Sequence, residues 1–254
     1  MAISKMRTIF TTQLEVSKIY KPEEVMEVIY KIGYIKPYKD NKKVEWFDIP
    51  MALDIETSSF KDGEHKYACM YIWTLSICGF IVQGRRWSEL VQTFEQISQF
   101  YELNIYRRCV VYIHNLAYEF QFMRKYFVWD SVFALSPRKP IYGLTSLGIE
   151  FRCSYLLSGY SLARLAENIH SIKIRKLVGD LDYDKIRTWL TPLTDEELQY
   201  CINDVQIIIA YVFDLFEQGY NLSSVPKLKQ VSLEFTPVIT VFTDRNMGKT
   251  KRFI

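Results

Sequence analysis

Residues 51–60 read MALDIETSSF, and this stretch decides the fold. Met51, Ala52 and Leu53 lead into Asp54, Ile55 and Glu56, so an apolar run ends on two carboxylates. The pattern predicts a buried strand. Side chains alternate faces along a strand, which puts Asp54 and Glu56 on the same one. Two carboxylates held that close repel, and each raises the other's pKa unless a cation lies between them. Hard divalent ions such as Mg²⁺ or Mn²⁺ take such oxygen ligands. An isolated D-x-E is more often a pair of solvated acids. The reading therefore turns on what the rest of the chain brings to it.

Downstream, a charged turn over 61–66 leads to residues 68–82, rich in β-branched and aromatic side chains and predicted as one strand. Gly84-Arg85-Arg86-Trp87 predicts a turn into a short third strand. Ser88 is placed to cap a helix over 89–101, with Leu90, Val91, Phe94 and Ile97 as its apolar stripe. Residues 108–113 (RCVVYI) read as a further buried strand. Strand, strand, strand, helix, strand, with acids on the first, fits an RNase H-like α/β domain: a mixed central sheet flanked by helices.

The strand at 110–113 ends in His114-Asn115-Leu116-Ala117-Tyr118-Glu119-Phe120, and a helix is predicted over 119–127. This places His114, Asn115 and Glu119 at the C-terminal edge of the sheet, where open α/β folds carry their sites. Asn115 and Tyr118 suit a sugar-phosphate and a base; Glu119 would be a third acid. Taken alone, the same residues are a capped helix start. Residues 131–155 read as strands and turns, and Ser161 caps a short helix opening SLARL. A basic stretch over 170–176 follows, then Val178-Gly179-Asp180-Leu181-Asp182-Tyr183.

Thr194 and Glu197 form a capping box, and the helix they open runs to about Gly219. Leu198, Ile202, Val205, Ile209 and Val212 make its buried stripe. Tyr200 and Asp204, four apart, share one face. An Asp in the middle of an apolar helix needs a partner if it is buried, and a metal ion is one such partner.

The remainder bounds the answer. The chain has 254 residues, 49% hydrophobic and 24% charged, the profile of a globular domain with a full core. A net charge of +3 does not by itself argue for nucleic acid. Eighteen Tyr and 16 Phe leave rings to spare for stacking on bases. Five scattered cysteines with no C-x-x-C predict reduced thiols in a cytoplasmic protein, not a zinc site. No apolar run is long enough to span a bilayer, so no membrane partner is expected. Residues 1–48 are predicted as an N-terminal extension, with an amphipathic helix after Pro22 carrying Val25, Val28, Ile29 and Ile32. Residues 223–254 are predicted as a basic tail. Gly248-Lys249-Thr250 resembles the end of a phosphate-binding loop, but Thr243 stands where the loop needs its first glycine.

DIET (54–57), HNLAYEF (114–120) and YCIND (200–204) resemble the three exonuclease motifs of family-B DNA polymerases, most closely those of the protein-primed polymerases of bacteriophages. SLARL and KLVGDLDY resemble that family's accessory DNA-binding motifs, and the likeness covers residues 49–210. It implies an RNase H-like domain at 49–222 that removes nucleotides from the 3′ end of single-stranded DNA in viral replication, with two divalent ions, Mg²⁺ or Mn²⁺. It implies Asp54, Glu56, Glu119 and Asp204 as metal-binding acids and Tyr200 as the residue orienting the attacking water. Thr57, Tyr112, His114, Asn115, Tyr118, Ser161, Leu162 and Tyr183 match positions that hold the single strand. Two positions depart from the pattern. Glu119 stands where the family carries Asp, and Val178 where it carries a catalytic lysine. Lys176, two residues earlier, is the candidate replacement. No polymerase acids follow by Ile254, so the expectation is an exonuclease portion, excised or separately encoded, or a self-standing relative. A polymerase domain or another replication protein is the expected partner. The alternatives are a DEDD-type ribonuclease and a binding module whose site has decayed.

Overall fold

The computed structural model describes residues 2–16, 18–177, 185–227 and 240–243. In chain order the elements are α1 (Ala2–Leu14), β1 (Ile19–Tyr20), a 3₁₀ turn (Pro22–Glu24), α2 (Val25–Ile32), β2 (Tyr38–Lys39), β3 (Glu45–Trp46), β4 (Met51–Asp62) and β5 (His65–Ile77). β6 (Phe80–Gly84), α3 (Trp87–Tyr101), β7 (Arg107–Ile113), α4 (Leu116–Met123), β8 (Trp129–Ala134) and β9 (Pro140–Thr145) follow. The chain closes with β10 (Ile149–Cys153), α5 (Ser154–Ser158), α6 (Leu162–Glu167), α7 (Asp195–Glu217) and β11 (Thr240–Thr243).

The sheet is mixed, in the order β1-β6-β5-β4-β7-β10-β9-β8-β11, with β3 joining β7 and β2 joining β3. β4 pairs antiparallel with β5 over twelve rungs and parallel with β7 at Met51 and Ala52. β10 lies parallel to β7 along its whole length. The DIET strand is therefore central, and it is built from residues that favour that place. Met51, Ala52, Leu53 and Ile55 are all buried, as a strand covered on both faces requires.

The predicted single strand over 68–82 is two. Cys78 (φ 51) and Gly79 (φ 95) turn the chain between β5 and β6. A two-residue turn with both central residues at positive φ matches the twist of the strands it joins. Both flanks are buried, so the apolar pattern runs through the turn without a break. Helix α3 begins at Trp87, not after a Ser88 cap: Glu89 Oε2 accepts from the backbone N–H of Arg85 (2.7 Å) and Arg86 (2.9 Å) and caps the start itself. Helix α4 occupies 116–123 rather than 119–127.

Helix α7 opens on the predicted capping box: Thr194 Oγ1 accepts from Glu197 N at 3.2 Å, and Glu197 Oε2 accepts from Thr194 N at 2.8 Å. The helix lies against β4 and β5, with Ile202, Val205, Ile209 and Val212 buried. The apolar core does not stop at residue 48. Met6, Phe10, Val25, Val28, Ile29, Ile32 and Phe47 belong to the same cluster as the strands. Phe10 of α1 stacks on Phe213 of α7 with centroids 5.4 Å apart. At the other end Arg152 Nη1 donates to the Leu222 carbonyl (2.5 Å), and Lys227 pairs with Glu150 (2.8 Å). These contacts fasten the segment after α7 to β10. All five cysteines are free thiols.

Candidate active site

Asp54 and Glu56 share a face of β4, and α7 crosses that face so that Asp204 comes down beside them. One carboxylate oxygen from each of the three lies within 4.8 Å of the others. The fourth acid arrives from α4. Asn115 takes a left-handed conformation (φ 77, ψ 50), which Asn tolerates better than most residues. It turns the chain from the end of β7 into the helix. Leu116, Glu119 and Met123 then form the buried stripe of α4. Glu119 is only 5% exposed, and its Oε2 has no hydrogen-bond partner among the described residues.

Burial raises all four carboxyls. Asp54 is pushed well above the usual carboxylate range by burial, then by Glu56, Asp204 and Glu119, with Lys176 opposing. Burial and Asp204 lift Glu56 to about 7. Burial, with Glu56 adding to it, lifts Glu119 to about 8. Asp204 is raised by burial against the pull of Lys176. So many carboxylates around one point, one of them with an orphaned oxygen, are a set short of positive charge. The donors are all oxygen, which fits hard divalent cations and not soft ones.

Lys176 supplies one of the missing charges. Its ammonium pairs with Asp204 Oδ1 and lies 3.6 Å from the centroid of the Tyr200 ring, one turn earlier on α7. Asn203 holds it there. Its side-chain NH₂ donates to the Arg175 carbonyl (2.9 Å) and its carbonyl accepts from Leu177 N (2.7 Å), so the amide grips the backbone on both sides of Lys176. Asn203 carries no motif signal of its own; it is a buried amide next to Asp204 whose bonds depend on the fold of 175–177.

A cavity of about 410 Å³ is lined by His114, Asn115, Tyr155, Ser161 and Leu162, with His114 and Asn115 joining β7 to the helix that carries Glu119. Four of these five were singled out from sequence. Ser161 also caps α6 as expected, accepting from Arg164 N. His114 Nδ1 is 3.1 Å from Ser154 Oγ, and burial pulls the imidazole down to about 4, so it is neutral at ordinary pH. The Tyr155 ring meets His114 edge-on at 5.7 Å. Ser154 and Tyr155 were missed because they follow β10, and only the parallel pairing of β10 with β7 brings them beside His114. Thr57 and Tyr118 join by their hydroxyls at 2.5 Å, and Tyr118 leaves part of its ring exposed.

Tyr112 is not brought to this surface. It is 1% exposed, inside the sheet opposite Arg152, because it lies on β7 before the strand reaches its edge. A direct contact with a nucleic acid strand is closed to it. Tyr183 and Val178 lie outside the described residues. Among the described residues no helix is long and apolar enough to cross a membrane.

The chain matches no protein-family model and no curated protein. Among solved structures it is similar to Phi29 DNA polymerase complexed with primer-template DNA and incoming nucleotide substrates. The TM-score is 0.52 and the identity 15%, over 68% of this chain and 31% of that one. Against Phi29 DNA polymerase complexed with single-stranded DNA the TM-score is 0.52 and the identity 16%, over 67% of this chain and 32% of that one. The catalytic core of RRP6 from Trypanosoma brucei matches at TM-score 0.41 and 11% identity, over 73% of this chain and 50% of that one. The likeness to the polymerase shows the fold, an RNase H-like mixed sheet flanked by helices. This chain spans 31–32% of those polymerase chains.

Proposed function

We propose that the protein is a metal-dependent 3′–5′ exonuclease acting on single-stranded DNA ends. The observation that carries this is the meeting of Asp54, Glu56 and Asp204 from two distant elements, with the orphaned Glu119 carboxylate beside them. Two divalent cations, Mg²⁺ or Mn²⁺, would supply an activated water and charge stabilisation for the leaving 3′-oxygen. Asp54, Glu56 and Asp204 would hold them, with Glu119 acting through a water. Tyr200 would orient the attacking water.

The remaining residues position the strand. Lys176, paired with Asp204 and held by Asn203, would meet the negative charge that gathers on the scissile phosphate. A lysine two residues from the family's usual position serves because the backbone at 175–177 is pinned to α7. Asn115, Ser161 and Leu162 line the cavity that would take the terminal nucleotide, together with Tyr155. Tyr118, braced by Thr57, offers a ring for a splayed base. In this reading residues 49–222 form the exonuclease unit, a replication polymerase is the partner and the cytoplasm of a host cell is the location.

Digestion of 5′-labelled single-stranded DNA in Mg²⁺ or Mn²⁺ tests the proposal, with single-stranded RNA in parallel. A ladder shortening from the 3′ end, lost in Asp54→Ala/Glu56→Ala, is expected. Cleavage of RNA in preference to DNA would move the activity to the ribonuclease class. No ladder from the intact protein on either substrate would leave a binding module.

A further inference from the structure

β4 and β5 run on past the acids as a two-stranded ribbon. Asp54, Glu56, Ser58 and Phe60 alternate onto one face of β4, while the partner strand β5 carries the extra residue, Tyr71, where the register shifts between Glu56 and Thr57. Ser58 is opposite Cys69, and Phe60 opposite Tyr67. The Phe60 and Tyr67 rings stack with centroids 5.6 Å apart and planes at 22°. At roughly 3.3 Å per residue this pair lies about 13 Å beyond Glu56 along the strand. The row that begins with the acids therefore ends on an aromatic pair.

Between the two, the segment 185–191 lies across the ribbon, fixed from below. Arg187 N donates to Ser58 Oγ at 2.9 Å, and Cys69 Sγ lies 3.9 Å from the Arg187 carbonyl. The Arg187 guanidinium is buried on Glu197 (2.8 and 2.5 Å). Arg85 donates to the carbonyls of Tyr71 (2.5 Å), Thr188 (3.0 Å) and Thr191 (2.7 Å). Two guanidinium groups thus order a loop that shows apolar side chains to solvent: Ile186 is 57% exposed, Trp189 45% and Leu190 69%. The exposed Arg86 guanidinium lies 4.0 Å from the centroid of the Trp189 ring, and Lys185 is exposed beside Ile186. A held loop that displays large apolar groups marks an interaction surface.

We infer that this surface, the 185–190 loop with the Phe60–Tyr67 rung, grips single-stranded nucleic acid on the 5′ side of the bond being cut. Two features select a nucleic acid strand over a protein. The loop is fixed to Ser58, two residues beyond Glu56 on the strand that carries the acids, so a strand ending at the acids and passing over the loop meets it. It also pairs ring faces with exposed cations, the combination that takes bases and phosphates together. Being a subsite of the exonuclease, the inference rests on that reading for its polarity. Binding, however, is measurable without hydrolysis.

The test is fluorescence anisotropy in Ca²⁺ with two fluorescein-labelled oligothymidylates, one too short to leave the acid cluster and one long enough to pass the loop. Trp189→Ala is expected to weaken the long oligonucleotide about tenfold, the loss of one base stack, and to leave the short one at the wild-type value. Trp189→Phe should keep most of the affinity, and Phe60→Leu should act in the same direction as Trp189→Ala. Quenching of tryptophan fluorescence by the long oligonucleotide should vanish in Trp189→Phe. No change for either length, with circular dichroism intact, overturns the inference and leaves the surface to a protein partner. An equal loss for both lengths also overturns it. A wild-type protein that binds the long oligonucleotide through Trp189 yet releases no nucleotide in Mg²⁺ overturns the exonuclease reading instead.

Discussion

Glu119 occupies a position in the apolar stripe of α4 that a leucine would fill with less strain on the core. A buried carboxyl oxygen without a hydrogen-bond partner, as Glu119 Oε2 is among the described residues, costs stability, so its presence argues for a task. Glu119→Gln keeps the shape and removes the charge. It is expected to lower the rate of 3′ shortening by about 10–100-fold, the usual effect of losing an outer-shell metal partner, while urea unfolding of the metal-free protein shows no loss of stability. Glu150 is the contrasting buried acid. It is 0% exposed and ion-paired to Arg152 (2.8 Å), Arg108 (3.0 Å) and Lys227 (2.8 Å). Burial opposes its ionisation, but Arg152 and then Lys227 outweigh burial and hold it at about 2. Glu150→Gln leaves Arg152 buried without its counter-ion, and a loss of about 3–5 kcal/mol in urea unfolding is expected. The two acids separate the proposed chemistry from structure: Glu119→Gln should lower 3′ shortening and spare the fold, and Glu150→Gln should weaken the fold.

At the scale of elements, the local signals with a mechanism were readable and the long-range pairings were not. The capping box fixed the start of α7 to the residue, because its two reciprocal bonds need only four residues to form. Thr194→Ala removes one of them and should cost about 1 kcal/mol, a fall of about 2–4 °C in Tm for a protein of this size. The β5–β6 turn was invisible because Cys78 gives no turn signal and both flanking runs are apolar. Gly79, at φ +95, is the only mark. A Cβ there would come within 2.8 Å of the Phe10 ring and 3.2 Å of the Phe10 backbone. Gly79→Ala should therefore destabilise by more than about 1 kcal/mol, read as a lower Tm. Asp54, Glu56 and Asp204, which meet in the structure, were legible because each interrupts an apolar run, and Glu119 by its place at the end of β7 and the start of a helix. Ser154, Tyr155 and Asn203 broke no pattern; only the β7–β10 pairing and the fold of 175–177 onto α7 give them neighbours. Tyr112 failed for the opposite reason. It matches the motif by position, but a place inside β7, before the strand reaches its edge, turns the ring into the core.

For the molecule as a whole, the four raised carboxyls predict a fold relieved by cations. Mn²⁺ held by the folded site and not by the unfolded chain should raise Tm in proportion to its occupancy, and Asp54→Ala/Glu56→Ala should abolish the rise. Differential scanning calorimetry with and without EDTA decides this. The response to acid has the other sign at Glu150. Its folded pKa is below its unfolded value of 4.5, so the contribution is full above pH 4.5 and is lost as pH falls toward 2. Unfolding monitored over that range should show wild type losing stability and converging on Glu150→Gln.

The helix that begins the chain has a consequence in time. Phe10 rests on Phe213, Arg7 reaches the Ser171 carbonyl and pairs with Glu217, and β1 waits for β6. Arg7 thus meets its partners at separations of 164 and 210 residues along the chain. Since loop closure over such separations slows folding, the apolar face of α1 stays uncovered until α7 has folded. In refolding followed by pulsed proteolysis, α1 should remain open to cleavage until α7 forms, and the two should become protected together.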